Sequence, residues 1–213
     1  MNLPLAPYAE QSQRWPADGQ HVLAHYDDDT IVVYQAYRPA IGEFAIKHGY
    51  LSGPHFSLER MSWIKPNFMW MMYRSGWGTK EGQEVTLGLR VRRSFFDALM
   101  ATAVPSAYDP DRYASSEEWQ VAVAHSDVRR QWDPDHSPTG EKLARRAIQL
   151  GLRGQSLRAF AKAELLEVID MSPFVASQRT HAQDKHPDLQ VPVEHVYVPA
   201  ISPPMPEPLP PLG

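Results

Sequence analysis

The sequence predicts an α+β fold: a single compact domain in which helices pack on a short-stranded central mixed sheet. Segments typical of strands alternate along the chain with segments of helical period. No glycine-rich phosphate loop follows these strands, because the patterns G-x-G-x-x-G and G-x-x-x-x-G-K are missing from the sequence. We place the domain at residues 21–186, between an irregular lead-in over residues 1–20 and an extended, proline-rich tail over residues 187–213.

In the first half of the chain, two strands and two helices are predicted in addition to the aromatic helix described below. Thr30–Tyr37 (TIVVYQAY) is the clearest strand, because β-branched and aromatic residues dominate it and a turn of three aspartates precedes it. A helix is expected over residues 40–48, where apolar side chains recur at helical spacing and a glycine follows as the stop. Val85–Val91 is the second strand, and Ser94 is expected to cap a helix over residues 95–102.

An aromatic stretch, Met61–Trp77 (MSWIKPNFMWMMYRSGW), is predicted to organise the core. Pro66 suits the first position of a helix and Gly76 suits its end. The helix is apolar on nearly all sides, so it should be buried and should carry Arg74 inward or to the edge of a cleft. Because a buried arginine is costly unless an anion meets it, Arg74 points to a ligand.

The second half of the chain yields four predicted elements. The surest is a helix over Gln155–Asp170 (QSLRAFAKAELLEVID), whose apolar residues follow a period of 3.6. The others are a helix over residues 115–124 with Ser115 or Ser116 as its cap, a strand over residues 127–132, and a strand around residues 147–150. Order beyond Ser172 is not predicted.

Composition restricts the class of protein. The chain is 43% hydrophobic and carries a net charge of −4, which disfavours attraction of the whole surface to nucleic acid or anionic lipid. Cysteine is missing, which excludes disulfides, zinc-thiolate sites and cysteine nucleophiles. We expect a cytoplasmic protein without a membrane partner, since the sequence has neither a secretory signal nor an apolar run of about 20 residues.

One face of the predicted aromatic helix carries Trp70, Tyr73 and Arg74. This face suits the wall of a cleft, on which a planar ring stacks while Arg74 holds a phosphate or carboxylate. Lys65, just before the helix, adds a second cation where anions are favoured. The alternative is a core helix whose arginine pairs with an internal acid such as Glu59 or Glu84.

Polar residues inside strands are further candidates. Gln35 lies between aromatic residues of the first strand, where its amide must find partners, either internal ones or a substrate. Arg38 follows at the end of that strand. The pair His21 and His25 lacks a third ligand, and Asp133 lies in a phrase typical of a turn, so no metal site is predicted.

Four motifs together resemble an uncharacterised bacterial and fungal family, a domain of unknown function. They are DDTIVVYQAY at residues 28–37, RMSWIKPNFMWMMYRSGW at 60–77, QWDP at 131–134 and RAIQLGL at 146–152. The resemblance runs from about residue 21 to residue 172. It implies kinship and no activity.

A weaker resemblance is to the ADP-ribosyltransferase superfamily, in which a polar residue on an early strand, a His or an Arg, meets NAD and a helix ending in glycine follows directly. The segment VYQAYRPAIGEFAIKHG has this layout, with Gln35 as the polar residue. Gln131 stands nearest to the Glu, Gln or His of a later strand in that superfamily, and Tyr73 to a residue between the two. The resemblance implies Gln35, Tyr73 and Gln131 as catalytic residues.

Two functions follow as expectations. The first is a transferase-like enzyme that binds NAD or another nucleotide, with a ring stacked on Trp70 or Tyr73. Arg38, Lys65 and Arg74 hold phosphate, and Gln131 or Asp133 orients an acceptor or stabilises a developing cation. The residues expected to contact NAD are Tyr37, Arg38, Lys65, Trp70, Arg74, Trp132 and Asp133. The second is a non-enzymatic domain that binds single-stranded nucleic acid, or a protein partner, through the same aromatic and cationic residues. A nucleotide or other anionic small molecule is the expected ligand, with nucleic acid as a candidate acceptor.

Overall fold

The computed structural model describes residues 3–200. Its strands are β1 Leu5–Pro7, β2 Gly19–Gln20, β3 Val22–Ala24, β4 Thr30–Tyr37, β5 Ser62–Ile64, β6 Val85–Arg92, β7 Val104–Pro105, β8 Val128–His136, β9 Lys142–Leu152, β10 Leu165–Asp170, β11 Gln190–Pro192 and β12 His195–Tyr197. Its helices are α1 Tyr8–Ser12, α2 Pro39–His48, α3 Phe68–Ser75, α4 Arg93–Thr102, α5 Ser116–His125, α6 Gly154–Ala161 and α7 Ser172–Gln183. The fold is α+β, as the sequence predicts.

Two larger sheets dominate the architecture. A five-stranded mixed sheet has the order β2-β9-β8-β7, and β5 also pairs with β9. A three-stranded antiparallel sheet has the order β10-β6-β4. Two further pairs join the ends of the chain: β1 with β11, and β3 with β12. No helix within residues 3–200 combines the length and the apolar character needed to span a membrane.

Strand β4 separates two apolar clusters, which explains why its sequence is apolar on both faces. Ile31 and Val33 pack into one cluster together with α4, α6 and the strands β8 and β9. Val32 and Tyr34, on the opposite face, pack into the second cluster with α3 and α7. A strand that is buried on both faces reads as a continuous apolar run rather than an alternating one.

The aromatic helix is shorter than predicted. It begins at Phe68, because the side chain of Asn67 caps it by accepting a hydrogen bond of 2.6 Å from the Trp70 N–H. Pro66 therefore precedes the helix instead of opening it. The predicted end is correct: Gly76 adopts the left-handed conformation, with φ of 57°.

The predicted helix over Gln155–Asp170 is wrong in its second half. Helix α6 ends at Ala161, and Leu165–Asp170 forms β10, which pairs antiparallel with β6. The letters LLEVID fit both a helical and an extended pattern, since short apolar runs are ambiguous. The segment becomes a strand because β10 supplies hydrogen-bond partners for the backbone N–H and C=O groups along the free edge of β6.

Three other elements differ from their predicted bounds. Strands β8 and β9 run well beyond residues 127–132 and 147–150 and pair with each other along most of their lengths. Helix α4 begins at Arg93 and has no side-chain cap, so Ser94 does not cap it. Helix α5 is as predicted, because the Ser115 hydroxyl accepts a hydrogen bond of 3.2 Å from the Glu118 N–H.

Both ends of the described chain pack on the domain. The segment expected to be an irregular lead-in contains β1 and α1, and the tail contains β11 and β12. Gln11 and Trp15 donate side-chain hydrogen bonds to the backbone carbonyls of Pro192 and Glu194, at 3.0 and 2.9 Å. The carboxyl group of Glu194 is buried and accepts a hydrogen bond of 2.7 Å from the Phe68 N–H, at the first turn of α3. The end of the predicted tail, residues 201–213, lies outside the described residues.

Candidate functional site

A polar pocket of about 570 Å³ opens where β4, β5, α3 and the β8–β9 pair meet. Its lining includes side chains from every one of these elements: Gln35, Tyr37, Ser62, Trp63, Lys65, Arg74, Gln131 and Gln149, with Arg60 and Gln83 from the adjoining loops. The pocket therefore brings together five of the ten residues singled out in the sequence: Gln35, Tyr37, Lys65, Arg74 and Gln131.

Hydrogen bonds on one side of the pocket join β4 to β5. The Tyr37 hydroxyl donates to Gln35 Oε1 at 2.7 Å, and Gln35 Nε2 donates to Ser62 Oγ at 2.7 Å and to the Trp63 carbonyl at 3.0 Å. Burial raises the pKa of the Tyr37 hydroxyl, which keeps it protonated as a donor. Because its amide already has these internal partners, Gln35 positions its neighbours at the pocket wall.

On the opposite side, the carboxylate of Asp133 holds two glutamine side chains. Gln131 Nε2 donates to Asp133 Oδ1 and Gln149 Nε2 donates to Asp133 Oδ2, each at 2.8 Å. Gln131 and Gln149 are directly opposite each other in the β8–β9 pair. With both amino groups engaged by one carboxylate, Gln149 Oε1 is left as an acceptor that has no hydrogen-bond partner among residues 3–200.

Three cations contribute to the pocket. Arg60 and Arg74 are exposed, and within residues 3–200 neither side chain forms a hydrogen bond or an ion pair. The internal acids that the core-helix alternative needs are engaged elsewhere: Glu59 pairs with Arg158 at 2.7 Å, and Glu84 accepts a hydrogen bond from the Gly82 N–H. Arg74 therefore lies at the edge of a cleft, without the acids proposed as its partners.

Lys65 is the buried cation of the pocket, with a relative exposure of 5%. Among the described residues its side-chain amine forms one hydrogen bond, a long one of 3.5 Å from Nζ to the Trp63 carbonyl. Burial, and then the charge of Arg74, lower the pKa of the Lys65 amine to about 8, against the opposing effect of Asp133. A substantial fraction of Lys65 is therefore neutral near physiological pH.

The aromatic residues expected to stack a ligand ring lie outside the pocket. Trp70 is buried, and Tyr73 stacks on His136 with ring centroids 3.4 Å apart, while the Trp70 ring lies nearly parallel to both. Tyr73 and Trp70 therefore have internal aromatic partners, and the structure does not bring either of them to Gln35 or Gln131.

Two other predicted residues lie at neighbouring grooves. Arg38 lines a second cavity that shares Tyr37 and Arg60 with the pocket, and its guanidinium donates to the His55 carbonyl at 3.5 Å. Trp132 lines a groove on the other side of β8. Asp133 supports the pocket from behind the two glutamines.

Sequence reasoning missed Arg60, Trp63 and Gln149. Gln149 offers the same signal as Gln35, a single amide inside an apolar strand (AIQLGL), so the pattern that identifies Gln35 also identifies Gln149. Trp63 faces Gly151 across the β5–β9 pair, where a Cβ atom would come within 3.0 Å of the indole ring. The Met61 sulfur would lie closer still, at 2.7 Å, so the missing side chain at Gly151 makes room for both Met61 and the Trp63 ring.

Comparison with known proteins places the chain in one family. No curated protein and no solved structure matches it, so these comparisons lend no support to a resemblance to ADP-ribosyltransferases. The family described as Domain of unknown function (DUF4291) matches residues 21–197. This match includes every residue that lines the pocket, and the chain belongs to the DUF4291 family.

Proposed function

We propose that the pocket binds the phosphate groups of a nucleotide, that this nucleotide is NAD, and that the chain is a transferase-like enzyme acting on it. One observation carries the proposal. Arg60, Lys65 and Arg74 converge on a pocket whose described lining contains no aspartate or glutamate. Cations without a carboxylate partner favour an anionic ligand, and arginine suits phosphate by its planar pair of donors.

The other lining residues supply the remaining contacts. Trp63 and Tyr37 offer aromatic surface to a base or to the nicotinamide ring. Gln149 Oε1 accepts a hydrogen bond from an amide or amino group of the ligand, since its own amino group is held by Asp133. Lys65 adds a positive charge when it is protonated.

The proposed reaction is transfer of the ADP-ribosyl group. The bond between ribose C1′ and the nicotinamide nitrogen breaks, its electron pair leaves with nicotinamide, and a nucleophile of the acceptor bonds to C1′. The positive charge that develops on the ribose is stabilised by Gln131 in the pocket wall and by the negative charge of Asp133 behind it, and hydrogen bonds already orient both groups. Tyr73 has no place in this scheme, because it lies outside the pocket.

The observations favour a nucleotide over a single nucleic-acid strand as the ligand. Strand binding needs aromatic rings free to stack on successive bases. Trp70 is buried, and one face of Tyr73 is covered by His136. A nucleic acid is kept as a candidate acceptor of the transferred group.

The test combines binding with turnover. A ligand present at 100 times its Kd stabilises the folded state by about 2.7 kcal/mol, so thermal unfolding is measured with NAD, ADP-ribose, pyrophosphate and nicotinamide. NAD labelled on the adenylate phosphate is then incubated with the protein alone, with RNA and with single-stranded DNA. We expect stabilisation by NAD and pyrophosphate, and label on an acceptor with release of nicotinamide.

Variants separate the two halves of the proposal. Asp133→Asn keeps the size of the side chain but removes its charge and one of the two oxygens that hold Gln131 and Gln149, so it is expected to lose most transfer while Arg60 and Arg74 still bind the phosphate groups of NAD. Arg74→Met is expected to weaken NAD binding, and Arg112→Met is its matched control, because Arg112 is an exposed arginine outside the pocket. Failure of NAD, ADP-ribose and pyrophosphate alike to stabilise the protein would refute the nucleotide site. Binding without nicotinamide release would refute the transferase.

A further inference from the structure

The backbone around Lys65 is fixed from both sides. Its N–H donates to the Tyr34 carbonyl at 3.2 Å, and its carbonyl accepts from the Tyr34 N–H at 2.7 Å, so Lys65 forms a bridge to β4. Pro66 follows with its restricted backbone, and β5 precedes. The long side chain therefore starts from a rigid base at the inner end of the pocket.

The surroundings of the Lys65 amine suit a nucleophile better than a structural cation. A buried ammonium normally requires a carboxylate and several hydrogen bonds. Within residues 3–200, the Lys65 amine forms no ion pair, and its one hydrogen bond is 3.5 Å long. A desolvated lysine beside a second cation is a recognised way to obtain a neutral amine at working pH, and such lysines form imines with carbonyl substrates.

We propose that Lys65 is a nucleophilic amine that forms an imine with the aldehyde group of a phosphate-bearing ligand, whose phosphate is held by Arg74 and Arg60. The proposal does not depend on NAD as the ligand. In the reaction, the Nζ lone pair bonds to the carbonyl carbon, and the resulting carbinolamine then loses its oxygen as water. Both protons of the neutral amine leave in that water, and the step needs no oxidant or reductant.

The chain provides its own internal controls. The other lysines are exposed: Lys47, Lys80, Lys142, Lys162 and Lys185. At pH 7.5 an amine with a pKa of about 8 is roughly one quarter neutral, whereas an ordinary lysine with a pKa of about 10.4 is roughly 0.1% neutral. A less basic nucleophile is also intrinsically weaker, as thiols show. We therefore expect modification of Lys65 to be favoured at least tenfold, which is less than the ratio of the two neutral fractions.

The experiment uses the full chain and pyridoxal 5′-phosphate as the probe, with pyridoxal as the same aldehyde without phosphate. Imines are trapped with borohydride, and the modified lysines are identified by peptide mass spectrometry. We expect Lys65 to be modified at least tenfold faster than each exposed lysine, with a rate that levels off above about pH 8. We also expect inorganic pyrophosphate to slow the reaction.

Two pairs of variants complete the test. Lys65→Arg is expected to remove the fast adduct, whereas Lys80→Arg, the matched control, is expected to leave it. Arg74→Met is expected to reduce the preference for the phosphate form over pyridoxal at least threefold, and Arg112→Met to leave it unchanged. Circular dichroism and thermal unfolding establish that each variant is folded.

Three results would overturn the proposal: even modification of all lysines, an adduct of unchanged rate in Lys65→Arg, or an unchanged phosphate preference in Arg74→Met. The outcome is independent of the NAD experiments. Fast modification of Lys65 in a protein that does not bind NAD would leave this proposal standing and refute only the nucleotide site.

Discussion

Replacement of Arg74 by methionine separates a ligand-binding arginine from a structural one. Methionine keeps a long, unbranched side chain on α3 and removes the guanidinium. Because the Arg74 side chain is exposed and has no hydrogen bond or ion pair within residues 3–200, its loss should change the free energy of unfolding by no more than about 0.5 kcal/mol. An arginine with an internal acid as its partner would behave differently, since breaking a buried pair costs about 3–5 kcal/mol.

The expected effect on binding is much larger. A hydrogen bond to a charged group contributes about 1.5–3 kcal/mol, which corresponds to a roughly 10- to 150-fold increase in Kd at 1.4 kcal/mol per factor of ten. Removal of the positive charge of Arg74 should also raise the pKa of Lys65, because that charge helps to lower it. The rate of Lys65 modification should therefore level off at a higher pH in the variant.

Two measurements are made on Arg74→Met, Arg112→Met and the parent. Urea unfolding gives the free energy of unfolding, and isothermal titration with NAD and pyrophosphate gives the Kd of each ligand. A stability loss of about 3 kcal/mol with unchanged ligand affinity would refute the reasoning and make Arg74 a structural residue. An unchanged affinity with unchanged stability would remove Arg74 from the site.

Three further predictions follow from buried groups. Lys65→Met should stabilise the protein at pH 7 by up to about 3 kcal/mol, because the lowered pKa of Lys65 makes the folded state bind fewer protons than the unfolded state. The parent should in turn gain stability as the pH rises from about 8 towards 10.4, and urea unfolding across that range checks both. Burial raises the pKa of Glu194 well above its usual value, so its protonated form is favoured by folding and the parent should lose stability as the pH rises above about 4.3, the usual glutamate value. Glu194→Gln should abolish this loss, and a parallel pH dependence of both proteins would contradict it. Gly151→Ala should cost about 1–3 kcal/mol and shift Trp63 fluorescence, because the new methyl group meets the Met61 sulfur at 2.7 Å and the Trp63 indole ring at 3.0 Å; a silent substitution would show that both side chains move aside freely.

The sequence predicts those elements whose signals are local. Strand β4 is identified by its β-branched run, and α5 by its serine cap, since neither depends on distant residues. Strand β10 is not predicted correctly, because its letters fit two structures and the choice depends on pairing with β6, about 75 residues earlier. The strands near the two ends are not predicted for the same reason, because each pairs with a strand near the opposite end of the chain.

The same distinction applies to the site. Gln35, Lys65 and Arg74 are found because polar side chains in apolar segments are conspicuous in the sequence, and the fold collects them in one pocket. Trp70 and Tyr73 are misplaced in the proposed cleft because their stacking partner, His136, lies on a distant strand. The local sequence pattern identifies side chains that are unusual for their segment. The residues that form hydrogen bonds with them or stack on them are determined by the tertiary fold.

The pairing of β1 with β11 has a consequence for biosynthesis. Leu5 is opposite Pro192, so the ribosome must translate nearly 190 codons between the two strands. At about 5–20 residues per second this takes roughly 10–40 s. During that delay the carboxyl group of Glu194 has not yet reached the amide of Phe68, and the first turn of the aromatic helix lacks its buried acceptor. The nascent chain thus presents methionine and tryptophan side chains before their cover exists, a period in which a chaperone has most to bind.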